Sequence, residues 1–185
     1  MKKNCVLFSL ILIFTFASVS QVFAKDSDKS DFYFDIGLSF NSANFTGSES
    51  SPDWHVFAPG ACVSLDKKLI PFLGIMANID AFYDVKNEAL AFDLNALIGP
   101  HFNFKKDTVN FLFGIGPDLY INTSAYAQGV SVGAAGQFKF QYMFKNRLGF
   151  YLSTLVSYDF LNINGSGFNI NNMFRIVPSI GFTFK

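Results

Sequence analysis

Eight segments place large apolar residues at alternate positions, charges are few while aromatics are many, and beyond the N-terminus no apolar run is long enough for a membrane helix. Together these predict an all-β protein, a closed antiparallel up-and-down transmembrane β-barrel of eight strands preceded by a cleaved signal peptide. Charged residues make up 15% of the 185 residues, against roughly 25% in soluble domains. Aromatics reach 18%, with 25 Phe, and the mean hydropathy is +0.28. After the first two dozen residues no apolar stretch approaches the ~18–20 residues of a spanning helix. Such a surplus of apolar residues enters a large core or faces lipid through strands.

The N-terminus has the composition of a secretory signal. Lys2 and Lys3 supply the positive start, Cys5 to Ala17 the apolar run, and Val22-Phe23-Ala24 a cleavage site after Ala24. The domain boundaries are therefore 1–24 for the signal peptide, 25–30 for a flexible leader and 31–185 for the barrel. A retained anchor fits less well, because the run is short and ends in Ser18, Ser20 and Gln21. Cys5 stands too early in the run for lipidation. Loss of Lys2 and Lys3 leaves about 12 basic and 14 acidic side chains, a net charge near −2. That balance offers no basic face to nucleic acid. Cys62 is then alone, which precludes an internal disulfide and points to a small buried residue.

The first strand, Phe32 to Phe40, has a large apolar residue at every even position and a small or polar one at every odd position except Tyr33. The second, about Val56 to Leu65, carries Phe57, Pro59, Ala61, Val63 and Leu65 on one face. The third, about Ile70 to Asp84, carries Leu73, Ile75, Ala77, Ile79, Ala81 and Tyr83. The fourth, about Ala89 to Phe104, carries Leu90, Phe92, Leu94, Ala96, Ile98, Phe102 and Phe104. The fifth carries Val109 through Ile121 at odd positions, the sixth Val130 through Phe144 at even ones. The seventh, Leu148 to Phe160, and the eighth, Phe174 to Phe184, repeat the pattern. Tight charged turns are expected at Asp66-Lys67-Lys68, Lys105-Lys106-Asp107 and Lys145-Asn146-Arg147. Links that are mostly longer and rich in Ser, Asn and Gly lie between them: Asn41 to Trp54, Val85 to Glu88, Asn122 to Gly129 and Leu161 to Asn172. Short turns on one side and longer loops on the other are the arrangement of bacterial transmembrane barrels, with both termini on the periplasmic side.

Alternation does not by itself say which face is inside. An eight-stranded barrel is barely wide enough for side chains and cannot hold some six large residues from every strand. The opposite face also lacks the Lys and Glu of a wetted surface; residues such as Gly37, Ser39, Asn78, Asn95, Gly114 and Ser153 suit a cramped lumen. The apolar face is therefore expected to meet lipid. Aromatics gather toward both strand ends, Phe32, Phe104, Phe144 and Phe182 at the short-turn end and Phe40, Tyr83, Tyr120 and Tyr158 at the loop end, as two girdles would. Unpaired backbone groups in hydrocarbon cost several kcal/mol each, so the first strand must pair with the eighth.

With this pattern the chain resembles the small outer-membrane barrels of the OmpA, OmpX and OmpW type over Phe32 to Phe184. Members usually end in an aromatic residue preceded by alternating apolar residues. Ile180, Phe182 and Phe184 match, and Lys185 departs. The resemblance implies residence in the bacterial outer membrane, with membrane lipid and the outer-membrane assembly machinery as partners and a monomer as the default.

The lumen-facing charges are Asp35, Asp80, Asp84, Asp93, Asp118, Lys139, Asp159 and Arg175. A turn centred on Lys86-Asn87 places Asp80 opposite Asp93, Asn78 opposite Asn95 and Gly74 opposite Gly99. Opposed carboxylates repel, so a cation should lie nearby or one should hold a proton. A last hairpin symmetric about Gly167 would set Arg175 against Asp159. These charges read first as a structural plug whose members satisfy one another. The sharper alternative is a site for a divalent cation or cationic solute at the outer mouth, formed by Asp80, Asp93, Asp118, Asp159 and Arg175. Ser51, Asp53 and His55 lie close in sequence, but nothing fixes them in the geometry of acyl transfer. His101 is expected inside the lumen. Gly114-Ile115-Gly116-Pro117 opens no helix and is no phosphate loop. No catalytic residue, resident metal or cofactor is assigned. The expected role is structural or surface-interacting through the extracellular loops, where Phe45, Trp54 and His55 are the foremost contacts with an unidentified extracellular partner. A narrow channel or carrier for small or apolar solutes is the alternative, and an outer-leaflet lipid-modifying enzyme the remote one.

Overall fold

The computed structural model describes residues 32–45, 55–84, 88–105, 108–123, 129–145, 147–164 and 167–185. They form eight strands: β1 (Phe32–Phe45), β2 (His55–Ile70), β3 (Leu73–Asp84), β4 (Ala89–Phe104), β5 (Val109–Asn122), β6 (Gly129–Met143), β7 (Leu148–Asn164) and β8 (Gly167–Phe184). Each pairs antiparallel with its sequence neighbours, and the order β1 to β8 closes on itself. The closing seam runs from Phe34↔Phe184 to Phe45↔Met173. Closure leaves no open sheet edge facing the hydrocarbon. The expected signal peptide and leader lie outside the described residues.

Side chains alternate across the wall as the period of two requires. In β3, Ile75, Ala77, Ile79 and Tyr83 are exposed while Gly74, Met76, Asn78, Asp80 and Phe82 are buried. Outside, aromatic rings from β5, β6 and β7 meet across the strands: Phe113 with Phe138 at 4.9 Å, Phe111 with Phe140 at 5.3 Å, and Tyr142 with Phe150 at 5.5 Å between centroids. Such cross-strand pairs pin register on a face that has no protein packed against it. Ile115, in the middle of β5, is 73% exposed. Ile115→Arg should therefore destabilise the barrel in lipid vesicles by about 2–4 kcal/mol in urea titration, the cost of a cation at the bilayer midplane. An unchanged unfolding curve would mean that this face meets water.

Several boundaries differ from those expected. β1 continues past Phe40 to Phe45, and β2 continues through Asp66-Lys67-Lys68 to Ile70, so the turn falls at Pro71 and Phe72. A run of charges resembles a turn, but barrel strands overrun the hydrocarbon and their ends can be polar. The link expected from Leu161 to Asn172 is mostly ladder: Asn162 pairs with Asn169 and Asn164 with Gly167. Tyr120, placed by sequence in the outer girdle, is buried, since β5 points its odd positions outward. The lumen is also not lined by small residues alone. Tyr33, Met76, Phe82, Leu112, Tyr151 and Met173 are all buried. Glycines make room for them: a Cβ on Gly114 would collide with Met76 Cε, and one on Gly37 with the Ile180 carbonyl and the Tyr151 hydroxyl. Small and large residues thus alternate to fill the interior.

Candidate functional site

Two charge clusters and a neutral layer bridge the lumen from wall to wall. Toward the short-turn end, Lys139 of β6 is fully buried, and its Nζ donates to Asp35 Oδ2 at 2.7 Å, Asp66 Oδ1 at 2.9 Å and Ser64 Oγ at 2.6 Å. Ser64 Oγ in turn donates to Asp35 Oδ2 at 2.9 Å. Gln141 Nε2 donates to Asp66 Oδ2 at 2.8 Å and Asp35 Oδ1 at 3.2 Å. The ammonium also lies 5.6 Å from the centre of the Tyr151 ring. One cation holds two carboxylates from β1 and β2 across the barrel. His101 is buried nearby with its ring 5.8 Å from that of Tyr33.

At mid-depth the bonds are neutral. Asn78 Nδ2 donates to Asn95 Oδ1 and, at 3.0 Å, to Gln137 Oε1. Gln137 Nε2 donates to Ser153 Oγ at 3.3 Å, which is hydrogen-bonded to Ser179 Oγ at 2.6 Å. This chain links β3, β4, β6, β7 and β8. Beside it Cys62 Sγ lies 2.8 Å from the Tyr151 hydroxyl. The lone thiol is a buried packing residue, as its sequence context predicts.

Toward the loop end, Arg175 of β8 is fully buried among carboxylates from three strands. Its Nη1 donates to Asp93, its Nη2 to Asp118, and Nε and Nη2 each reach an Asp159 oxygen at 3.2 Å. The guanidinium also stacks 4.2 Å from the Tyr120 ring centre. Only arginine presents a planar fork of donors that can satisfy three carboxylates at once. Of the five residues grouped from sequence, Asp93, Asp118, Asp159 and Arg175 thus come together. Asp80 faces Asp93 in register, as expected, and is buried, but forms no ion pair among the described residues. Arg175 stands opposite Ser157 rather than Asp159, because the ladder starts at Asn164↔Gly167 and a bulge shifts the register between Asp159 and Leu161. The ion pair forms diagonally, which a long forked side chain allows. The guanidinium sits where a bound cation would, and no group of three His, Cys, Asp or Glu among the described residues could hold a metal ion.

Sequence reasoning missed Asp66, Ser64, Gln137 and Gln141. Their parity would have found them: Ser64 and Asp66 continue the inward series of Gly60 and Cys62, and the two glutamines flank Lys139 at i±2. Of the surface contacts, Phe45 ends β1 and His55 opens β2, which pairs with Asn44, while Trp54 lies outside the described residues.

A closed eight-stranded wall, apolar outside and plugged by ion pairs within, defines a small β-barrel of the bacterial outer-membrane class, the type expected from the resemblance to OmpA, OmpX and OmpW. A family profile described as "Domain of unknown function (DUF2715)" matches residues 17–185, so the chain belongs to that family. Neisserial surface protein A has a similar structure, with a TM-score of 0.63 at 13% identity over 84% of this chain and 97% of the other. Ail, the attachment invasion locus protein of Yersinia pestis, gives 0.54 at 10% identity over 84% and 97%. The outer membrane protein OprG from Pseudomonas aeruginosa gives 0.51 at 13% identity over 84% and 95%. Likeness at such identity concerns the fold alone. No curated protein matches the chain significantly.

Proposed function

We propose that this chain, delivered by its N-terminal signal, is a non-conducting, non-enzymatic anchor in the outer membrane whose role is carried by what it presents beyond the barrel wall. The observation supporting this is the filled lumen. Lys139 and Arg175 tie carboxylates across it at two depths, and the layer between is bonded side chain to side chain. Moving an ion past either cluster would require breaking a buried, desolvated ion pair, which costs several kcal/mol. The loop end, in contrast, offers contact surface. Phe168 and Ile170, near the tip of the β7–β8 hairpin, are 75% and 87% exposed, and Phe45, Trp54 and His55 around the β1–β2 connection are proposed contacts from the sequence alone. Exposed aromatic and aliphatic groups of this kind are the usual anchors of a protein interface. No reaction is proposed for Ser51, Asp53 and His55, the first two of which lie outside the described residues.

The test is planar-bilayer recording with the purified protein. The expected trace shows no steady single-channel steps. Reproducible steps of uniform size would favour the channel alternative and end this proposal. Binding screens with loop-deleted variants then address the surface role, which unchanged binding would reject.

A further inference from the structure

Among the described residues, the two rims of the barrel carry opposite charge. Lys67 and Lys68 stand near the end of β2, Lys105 after β4, Lys145 and Arg147 between β6 and β7, and Lys185 after β8. All six lie at the short-turn end, and all are exposed or half-buried. The described acids nearest to that end, Asp35 and Asp66, are fully buried against Lys139 inside the wall, and Asp31 lies outside the described residues. Lys106 and Asp107, in the same turn as Lys105, lie outside the described residues and cancel in charge. At the loop end the described charges above the Arg175 cluster are acidic, half-buried Asp84 at the mouth of the lumen and exposed Glu88.

The rim cations adjoin apolar surface. Lys67 Nζ lies 4.7 Å from the centre of the exposed Phe32 ring. Lys68 and Lys185 turn the other way, to the mouth of the lumen: Lys68 Nζ donates to Asn103 Oδ1 at 3.2 Å, and Lys185 Nζ lies 5.5 Å from the ring centre of buried Tyr33. Exposed Phe32, Phe72, Phe104 and Phe144 occupy the same zone. Aromatic rings seat at the boundary between hydrocarbon and headgroups, and lysine stems run along apolar surface to place the ammonium in the headgroup layer. Lys67, Lys105, Lys145 and Arg147 therefore sit at the depth of lipid phosphates.

We propose that the short-turn rim is a binding surface for anionic phospholipid headgroups, of the phosphatidylglycerol class, in the leaflet it meets. Charge complementarity and depth identify the occupant: Lys67, Lys105, Lys145 and Arg147 stand at or beside three short turns, where the wall meets lipid. This inference is independent of the role of the loops.

The test uses the protein purified from membranes and reconstituted in phosphatidylcholine vesicles carrying spin-labelled phosphatidylglycerol or phosphatidylcholine. At low salt the protein-restricted population should favour the anionic label by about two- to fivefold, falling to about one near 1 M NaCl as screening removes the attraction. The combined variant Lys67→Gln, Lys105→Gln, Lys145→Gln and Arg147→Gln, with folding checked by heat-modifiable gel mobility, should show a ratio near one at any salt. Asp84→Asn with Glu88→Gln at the other rim should retain the wild-type ratio. No preference by the wild type at low salt overturns the proposal, as does a preference that salt leaves unchanged or that the folded rim variant keeps. Charge-dependent sedimentation with purified cell-wall sacculi, without lipid preference, would assign the rim to the wall instead. The salt series on the wild type decides the matter even if the variant does not fold.

Discussion

Replacing Arg175 with methionine will lower the stability of the barrel by about 3–5 kcal/mol, the cost of removing one partner from a buried ion cluster. The guanidinium is the shared partner of Asp93, Asp118 and Asp159, none of them more than 2% exposed. Without it three carboxylates from three strands face one another in a space water barely reaches. Methionine fills much of the volume, so the loss is electrostatic rather than that of a cavity. The measurement is urea unfolding in lipid vesicles, with the slope compared to separate lost stability from altered compactness. Adding Asp93→Asn and Asp118→Asn to Arg175→Met should recover part of the loss by removing two of the orphaned charges. A single-variant loss below about 1 kcal/mol, the scale of a solvent-screened pair, would mean that the fork does not hold the barrel.

Lys139→Met will cost a comparable amount, about 3–5 kcal/mol, because Asp35 and Asp66 are each 0% exposed and share its ammonium. This cluster permits a sharper comparison. Lys139→Met combined with Asp35→Leu and Asp66→Leu removes every charge at once and replaces it with apolar volume. Exchanges of that kind are often neutral or stabilising. Here they leave Gln141 Nε2 and Ser64 Oγ without their partners, which costs about 1–3 kcal/mol for each buried group. The triple variant should therefore be more stable than Lys139→Met and fall near or somewhat below the wild type in the same titration. If it is no more stable than the single variant, buried charge is not what Lys139→Met suffers from, and the cluster acts through packing.

Much of the fold is legible because a strand's inside and outside follow from parity alone. The apolar series from Leu73 to Tyr83 and from Leu148 to Phe160 both face outward, and the register of β3 against β4 follows from a single short turn, with Asp80 opposite Asp93. Errors arise where composition stands in for parity. Asp66-Lys67-Lys68 has the composition of a turn, yet Asp66 keeps the inward parity of Cys62 and Ser64 and becomes a partner of Lys139. The Asn-rich stretch after Leu161 has the composition of a loop, yet its backbone pairs as ladder, since hydrogen bonding between strands is indifferent to side-chain polarity outside the bilayer. Tyr120 lies near a strand end as a girdle aromatic would, while its even position in β5 turns it inward to stack on Arg175.

From residue order alone come the eight strands, the outward hydrocarbon face and the need for closure. Each rests on an interaction between near neighbours or on the backbone's demand for hydrogen bonds, which every residue carries with it. The pairing of lumen charges has another origin. Lys139 meets Asp35 across 104 residues and Arg175 meets Asp93 across 82, between strands that share no ladder. Which of them stand level depends on the tilt and stagger of the closed wall, a property of all eight strands together that no local pattern records. That stagger, and not the inventory of charges, sets Lys139 and Arg175 level with the carboxylates they bind.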